Sequence, residues 1–183
     1  TGRYPFDFII GSVHNAPYKK DTAGKDIFTD PAAEKMFQGR SDKEAYRLMM
    51  EATLENVRCM DCFDTLGHLD YMIRYGKNRE RDYSYMDLAD LIDEILKILI
   101  QRGKGLEVNS AGLKYGLPYP HPHPDVLKRY KELGGEIITI GADAHKPEHV
   151  AYDFAQTAEI LKSCGFKFYT EFCERKPVFK QLT

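Results

Sequence analysis

Apolar positions along this chain switch between two periods. Short runs rich in β-branched and aromatic residues, at 6–10, 65–69, 105–108, 136–140 and 166–169, read as buried strands. Between them the period lengthens to that of a helix. Ser41-Asp42-Lys43-Glu44 is a capping box, so a helix is expected from there to about Arg58. Ser84 caps a second stretch, to Arg102, in which Leu88, Leu91, Ile92, Ile95, Leu96 and Leu99 form an apolar stripe that reads as core packing. Pro124 opens a third helix at a first-turn position, and Leu133-Gly134-Gly135 closes it. Pro147 opens a fourth, which stops at Cys164-Gly165. About five parallel strands alternating with helices predict an α/β fold with right-handed crossovers. In such folds the functional residues gather at the C-terminal strand ends. The polar, irregular stretch 15–38 is long for a connection and is expected to be a loop over that rim.

Composition changes the picture mainly by exclusion. A chain of 183 residues fits a single domain with a sizeable core. It is 43% hydrophobic and 30% charged with a net charge of -2, which gives no basic surface for nucleic acid and no charge block for a membrane. Its apolar runs are too short and too interrupted to span a bilayer. Cys59, Cys62, Cys164 and Cys173 do not make a disulfide framework, so a reducing, cytoplasmic setting is expected. Cys59-Met60-Asp61-Cys62 lacks the second pair that a zinc ribbon requires, and it follows a helix rather than opening one. Two incidental thiols are the favoured reading.

The candidate chemistry sits where the strands end. The first run ends in Ile10-Gly11-Ser12-Val13-His14, the second in Leu66-Gly67-His68-Leu69-Asp70 and the third in Glu107-Val108-Asn109-Ser110. The fourth ends in Gly141-Ala142-Asp143-Ala144-His145. Two residues apart on extended backbone, Asp143 and His145 point to the same side. A hard oxygen donor beside a borderline nitrogen donor suits Zn, Mn or Fe. Alone, Asp-x-His is equally a capped turn. Three strand ends that each deliver His or Asp to one rim point instead to a metal centre. Tyr119-Pro120-His121-Pro122-His123-Pro124 copies a His-x-His spacing, but its prolines make it an extended loop with a structural or substrate-facing role. His149, in the first turn after Pro147, is expected to face solvent.

These four strand-end motifs, in this order and spacing, resemble the PHP (polymerase and histidinol phosphatase) superfamily, above all its histidinol-phosphate phosphatase branch. The resemblance covers most of the chain and implies a distorted (β/α)7 TIM-like barrel. It also implies up to three divalent metal ions at the C-terminal rim and hydrolysis of a small phosphorylated metabolite. His14 and His68 match two histidines that share one metal with a bridging glutamate. Asp143 matches a ligand of a second metal and His145 a ligand of a third. Arg74 and Lys114 stand where basic residues hold the substrate phosphate, although Lys lacks the bidentate fork of Arg. Asn109 and Ser110 would line the same mouth, and Ala142 replaces a common Ser.

The implied reaction is hydrolysis of L-histidinol phosphate to L-histidinol and phosphate. Asp143 or His145 would pass a proton through water to the leaving alkoxide. The resemblance also implies an earlier His-x-His segment, a further His and the bridging glutamate, all N-terminal to Thr1. Residues 1–183 are therefore expected to be one PHP domain incomplete at its N-terminus. Such a piece would associate with the missing segment or with a copy of itself, and alone it would be metal-poor and inactive. Two other readings stay open: a PHP-type esterase acting on nucleotides or nucleic-acid ends, and a non-catalytic scaffold.

Overall fold

The computed structural model describes residues 4–33 and 35–183. The expectation attached to the chain start at Thr1 therefore lies outside the described residues. Four strands form one parallel sheet in the order β1 (Ile10–Gly11), β4 (Thr65–Leu66), β5 (Gly105–Asn109) and β6 (Ile138–Gly141). Neighbours in the sheet follow one another along the chain. Right-handed crossovers in a sheet of this order place all the connecting helices on one face.

Helix α1 (Asp42–Cys59) starts at the expected capping box: Ser41 accepts from the Glu44 backbone while Glu44 accepts from the Ser41 N–H. Its buried face carries Tyr46, Met49, Met50, Leu54 and Val57. Helix α2 (Ala89–Gln101) packs beside it and buries Ile92, Ile95, Leu96 and Leu99. Ion pairs lace the exposed seam, from Arg47 to Asp90 and from Arg58 to Glu94. Ser84 caps a single 3-10 turn, Tyr85–Leu88, which leads into α2. Helix α4 (Pro124–Glu132) begins at its proline as expected, and Arg129 anchors it to Asp93 of α2 at 2.6 Å.

Three elements depart from the periodicity. The expected first strand, 6–10, enters the ladder only at Ile10, because the Ile9 N–H is taken by the Asp64 carboxylate at 2.8 Å. The expected helix after Pro147 is broken. A 3-10 turn at Pro147–His149 is separated from α5 (Phe154–Ser163) by Ala151 and Asp153, whose φ angles are 55° and 48°. Residues 15–38 hold more order than a loop: β2 (Ala16–Lys20) and β3 (Asp26–Thr29) form an antiparallel hairpin with a bulge.

The fifth strand is a correction of partner and direction. β7 (Phe168–Cys173) pairs antiparallel with β8 (Lys176–Gln181) and is not part of the parallel sheet. Sequence showed the apolar alternation but not the tight turn at Glu174 and Arg175, where φ reaches 49° and 65°. This hairpin ties the two sheet edges together. Thr170 accepts from the Ile138 N–H on one side, and Glu174 and Arg175 donate to Asp7 on the other. Arg175 also pairs with Asp64 at 2.6 Å, and Phe172 stacks on Phe8 with ring centroids 4.9 Å apart. The fastening lies at the N-terminal ends of the strands and leaves the opposite rim for chemistry.

No helix among the described residues is long and apolar enough to cross a membrane. All four cysteines are free, with Cys164 alone buried.

Candidate functional site

Every strand of the sheet releases its chain at the same rim, and the expected residues follow within a few positions. His14 follows β1 and His68 follows β4. Their Nε2 atoms face one another at 3.3 Å. Two nitrogens held about 2.05 Å from a tetrahedral zinc stand about 3.3 Å apart, so this pair offers one edge of such a site. The Tyr71 ring packs against both imidazoles, at 5.4 and 4.7 Å between centroids. His68 is buried on a backbone with a φ of 21°. Burial, reinforced by His14, lowers its pKa to about 4. It is therefore neutral near pH 7, the protonation state that ligation demands.

The second pair comes from the turn after β6. Asp143, also left-handed with a φ of 47°, brings Oδ1 within 3.2 Å of His145 Nε2. Burial alone would raise the Asp143 pKa, but His68, Arg74 and His145 together outweigh it and hold the carboxyl below its ordinary range. Arg74 bridges the two pairs, with Nη1 3.6 Å from Asp143 Oδ2 and its guanidinium over the Tyr71 ring that packs on both imidazoles. His145 lies at its outer edge, with 77% of its side chain exposed.

Arg74 reaches in from the 3-10 turn Tyr71–Tyr75. Its guanidinium lies against the rings of Tyr115, Tyr75 and Tyr71 at 4.5, 5.0 and 5.3 Å, a set of π-faces that fixes its plane. Asp143 Oδ2 stands 3.6 Å from its Nη1, yet the buried Nε and Nη1 make no hydrogen bond. Lys114, at the end of the short helix α3 (Ala111–Lys114), donates to the carbonyls of Ala142 and Asp143, each at 3.0 Å. An ammonium has three donors, so one is unspent. Burial lowers the Lys114 pKa and Asp143 opposes that shift. Two cations with donors to spare thus stand beside the carboxylate–imidazole cluster at its mouth.

Asn109 ends β5 and Ser110 follows it. Both are buried. The Asn109 amide donates to Glu107 and its oxygen accepts from the Ala111 N–H. The Ser110 hydroxyl is buried without a hydrogen-bond partner.

Other polar groups at the site escaped sequence reading. Asp70, fully buried, accepts from His121 Nδ1 at 2.8 Å and from the His123 N–H at 2.8 Å. Asp70 thus ties the His-x-His loop, which its prolines predicted to be extended, to the chain after β4. His149 is half-buried, with its Nδ1 enclosed and unpartnered, so the expected solvent-facing position is corrected. Glu107, on the central strand, accepts from the His68 N–H at 2.9 Å. In the sequence it stands in the third strand-end motif, Glu107-Val108-Asn109-Ser110, where nothing gave it a role.

Among the described residues, no three His, Cys, Asp or Glu side chains surround one point closely enough to hold an ion. Each pair therefore offers two donors, neutral imidazole with imidazole or imidazole with carboxylate. Both donor sets suit a borderline divalent cation, and the His14–His68 spacing fits one.

The PHP domain matches residues 1–111, more than half of the chain. The chain belongs to the PHP domain family. A PHP relative named "probable histidinol-phosphatase" from Clostridium acetobutylicum is 28% identical over 165 residues, 90% of this chain and 60% of its own length. The histidinol-phosphatase of Lactococcus lactis is 29% identical over 163 residues, 88% of this chain and 56% of its own. This PHP chain thus spans somewhat over half the length of those relatives. Among solved structures, it resembles histidinol phosphate phosphatase from Lactococcus lactis, complexed with zinc, L-histidinol and phosphate. The TM-score is 0.72 at 27% identity, over 97% of this chain and 64% of that one. HisK of Listeria monocytogenes shares the fold with a TM-score of 0.64 at 17% identity, over 80% of this chain and 56% of that one.

Proposed function

We propose that this chain forms part of a metal-dependent histidinol phosphatase that hydrolyses L-histidinol phosphate to L-histidinol and phosphate. The observation that carries the reading is the convergence of His14–His68 and Asp143–His145 on one rim beside Arg74 and Lys114. A fold match to a phosphatase holding zinc, histidinol and phosphate supports it. His14 and His68 would hold one ion, and Asp143 and His145 would serve the neighbouring positions. Zinc takes four donors, so further ligands would come from polypeptide outside these residues. That agrees with a chain that covers 60% of a relative's length. Bound divalent ions would activate water and offset the charge of the phosphate.

The chain's own residues divide the remaining work. Arg74, its plane fixed by three tyrosines, would grip two phosphate oxygens through its unspent donors. Lys114 would give its third N–H to the same group and, through its other two, hold the 142–143 backbone in place. The leaving alkoxide needs a proton. His145, exposed and hydrogen-bonded to Asp143, is placed to deliver one through water. A reducing, cytoplasmic setting accords with four free cysteines.

The test is release of inorganic phosphate from L-histidinol phosphate by a protein carrying this chain, compared with a single-stranded oligonucleotide bearing a terminal phosphate. Faster hydrolysis of histidinol phosphate, lost on chelation and in His68→Ala, is expected. Preference for the oligonucleotide would favour the nucleic-acid-end reading. Metal-replete protein without activity on either would favour a scaffold.

A further inference from the structure

We propose that Glu107 is a positioning residue that shapes both halves of the metal pocket from below. This inference rests on the metal-binding reading above. Glu107 lies on β5, the strand between β4 and β6, and only 4% of its surface is exposed. The β4 ladder ends when the Gly67 N–H donates to Gly11 at 2.8 Å. The next N–H, that of His68, would be buried without a ladder partner, and such donors are rarely left unpaired. Glu107 Oε2 accepts it at 2.9 Å. The Asn109 amide steadies the same oxygen from 3.1 Å.

On the other side, Glu107 Oε1 fills the space that a side chain at residue 141 would occupy. A Cβ there would lie 2.1 Å from this oxygen, so Gly141 makes room for the carboxylate. One side chain on the central strand therefore contacts the ends of both flanking strands. At the first contact, His68 itself, and two residues past the second, at Asp143, the backbone of a ligand residue has positive φ, 21° and 47°. Non-glycine residues persist in that region only where their surroundings dictate it. Among the described residues Glu107 forms no ion pair, although it is buried. A divalent cation above His68 would supply the missing countercharge. Partners behind a ligand commonly change metal affinity 10–100-fold when removed.

The experiment titrates ZnCl2 into a protein carrying this chain and follows the imidazole C–H resonances of His14, His68 and His145 by NMR. The parent is compared with Glu107→Gln, Glu107→Ala and His68→Ala, and thermal unfolding is recorded in EDTA. Gln can keep the acceptor for the His68 N–H while losing the charge. We expect about a fivefold weaker zinc dissociation constant for Glu107→Gln at a melting temperature close to the parent's, and tenfold or more for Glu107→Ala. A purely structural role would lower the melting temperature and leave the affinity of the folded protein unchanged. Should Glu107→Ala not fold, Glu107→Gln decides alone. Unchanged affinity in the folded Glu107 variants, with His68→Ala weakened, overturns the role of Glu107 and leaves the metal site standing. Zinc that does not move the His14 and His68 rings, or that binds His68→Ala as tightly as the parent, overturns the metal site and Glu107 with it.

Discussion

Arg74 shows how much one side chain depends on groups distant in sequence. Its guanidinium is flanked by Tyr71 and Tyr75 from its own turn and by Tyr115 from beyond α3. Lysine at this position would keep the charge but lose both the planar fork and the stacking. Arg74→Lys should therefore reduce kcat/KM for L-histidinol phosphate by at least tenfold, about 1.4 kcal/mol, mainly through a raised KM. Steady-state kinetics at saturating metal checks this, and an unchanged KM would remove Arg74 from the phosphate mouth. Arg74 came only from the family resemblance, whereas the strand-end placement of His14, His68, Asp143 and His145 was legible in the sequence, because ligand-type residues there stand out against apolar runs. Asp70 was not. Its partner His121 lies 51 positions away, and nothing local marks the two as a pair. For a related reason the polarity of Asn109 was visible, but its bonds to Glu107 and Ala111 were not.

At the scale of elements, sequence reading succeeded where the determinant is local. The capping box at Ser41, the proline at the start of α4 and the stripe of α2 lie within a few residues of what they specify. It faltered where another element supplies the partner. Residues 6–9 have strand character, yet the Asp64 carboxylate takes the Ile9 N–H and the ladder begins one residue later. β7 reads as a fifth strand, but its hydrogen bonds go to β8 through a turn formed by two left-handed residues without glycine. The break before α5 has the same origin, since Ala151 and Asp153 adopt positive φ without any glycine to announce it.

Over the whole molecule, one parallel sheet presents four strand ends on a single rim, and a hairpin fastens the opposite side. This arrangement was legible as a fold class because strand–helix alternation leaves few topologies open. It also couples stability to acidity. His68 titrates near 4 when folded, against 6.5 when free, so between those values the unfolded chain binds a proton that the native chain refuses. Stability is then complete above pH 6.5 and falls as pH drops toward 4. For the metal-free chain this one group should remove about 2–3 kcal/mol by pH 4.5. Urea titrations at pH 7.5 and 4.5 check it, and the loss should be visibly smaller in His68→Gln. Equal losses in the two proteins would mean that His68 is not protected as described.

The most direct measurement is anomalous X-ray scattering, at the zinc or manganese absorption edge, from crystals of a protein carrying this chain grown with that metal. The account predicts one peak bonded to both His14 Nε2 and His68 Nε2, and density at Asp143 and His145 on the same rim. A map with its metal peaks elsewhere, or with none at these four side chains, would contradict it.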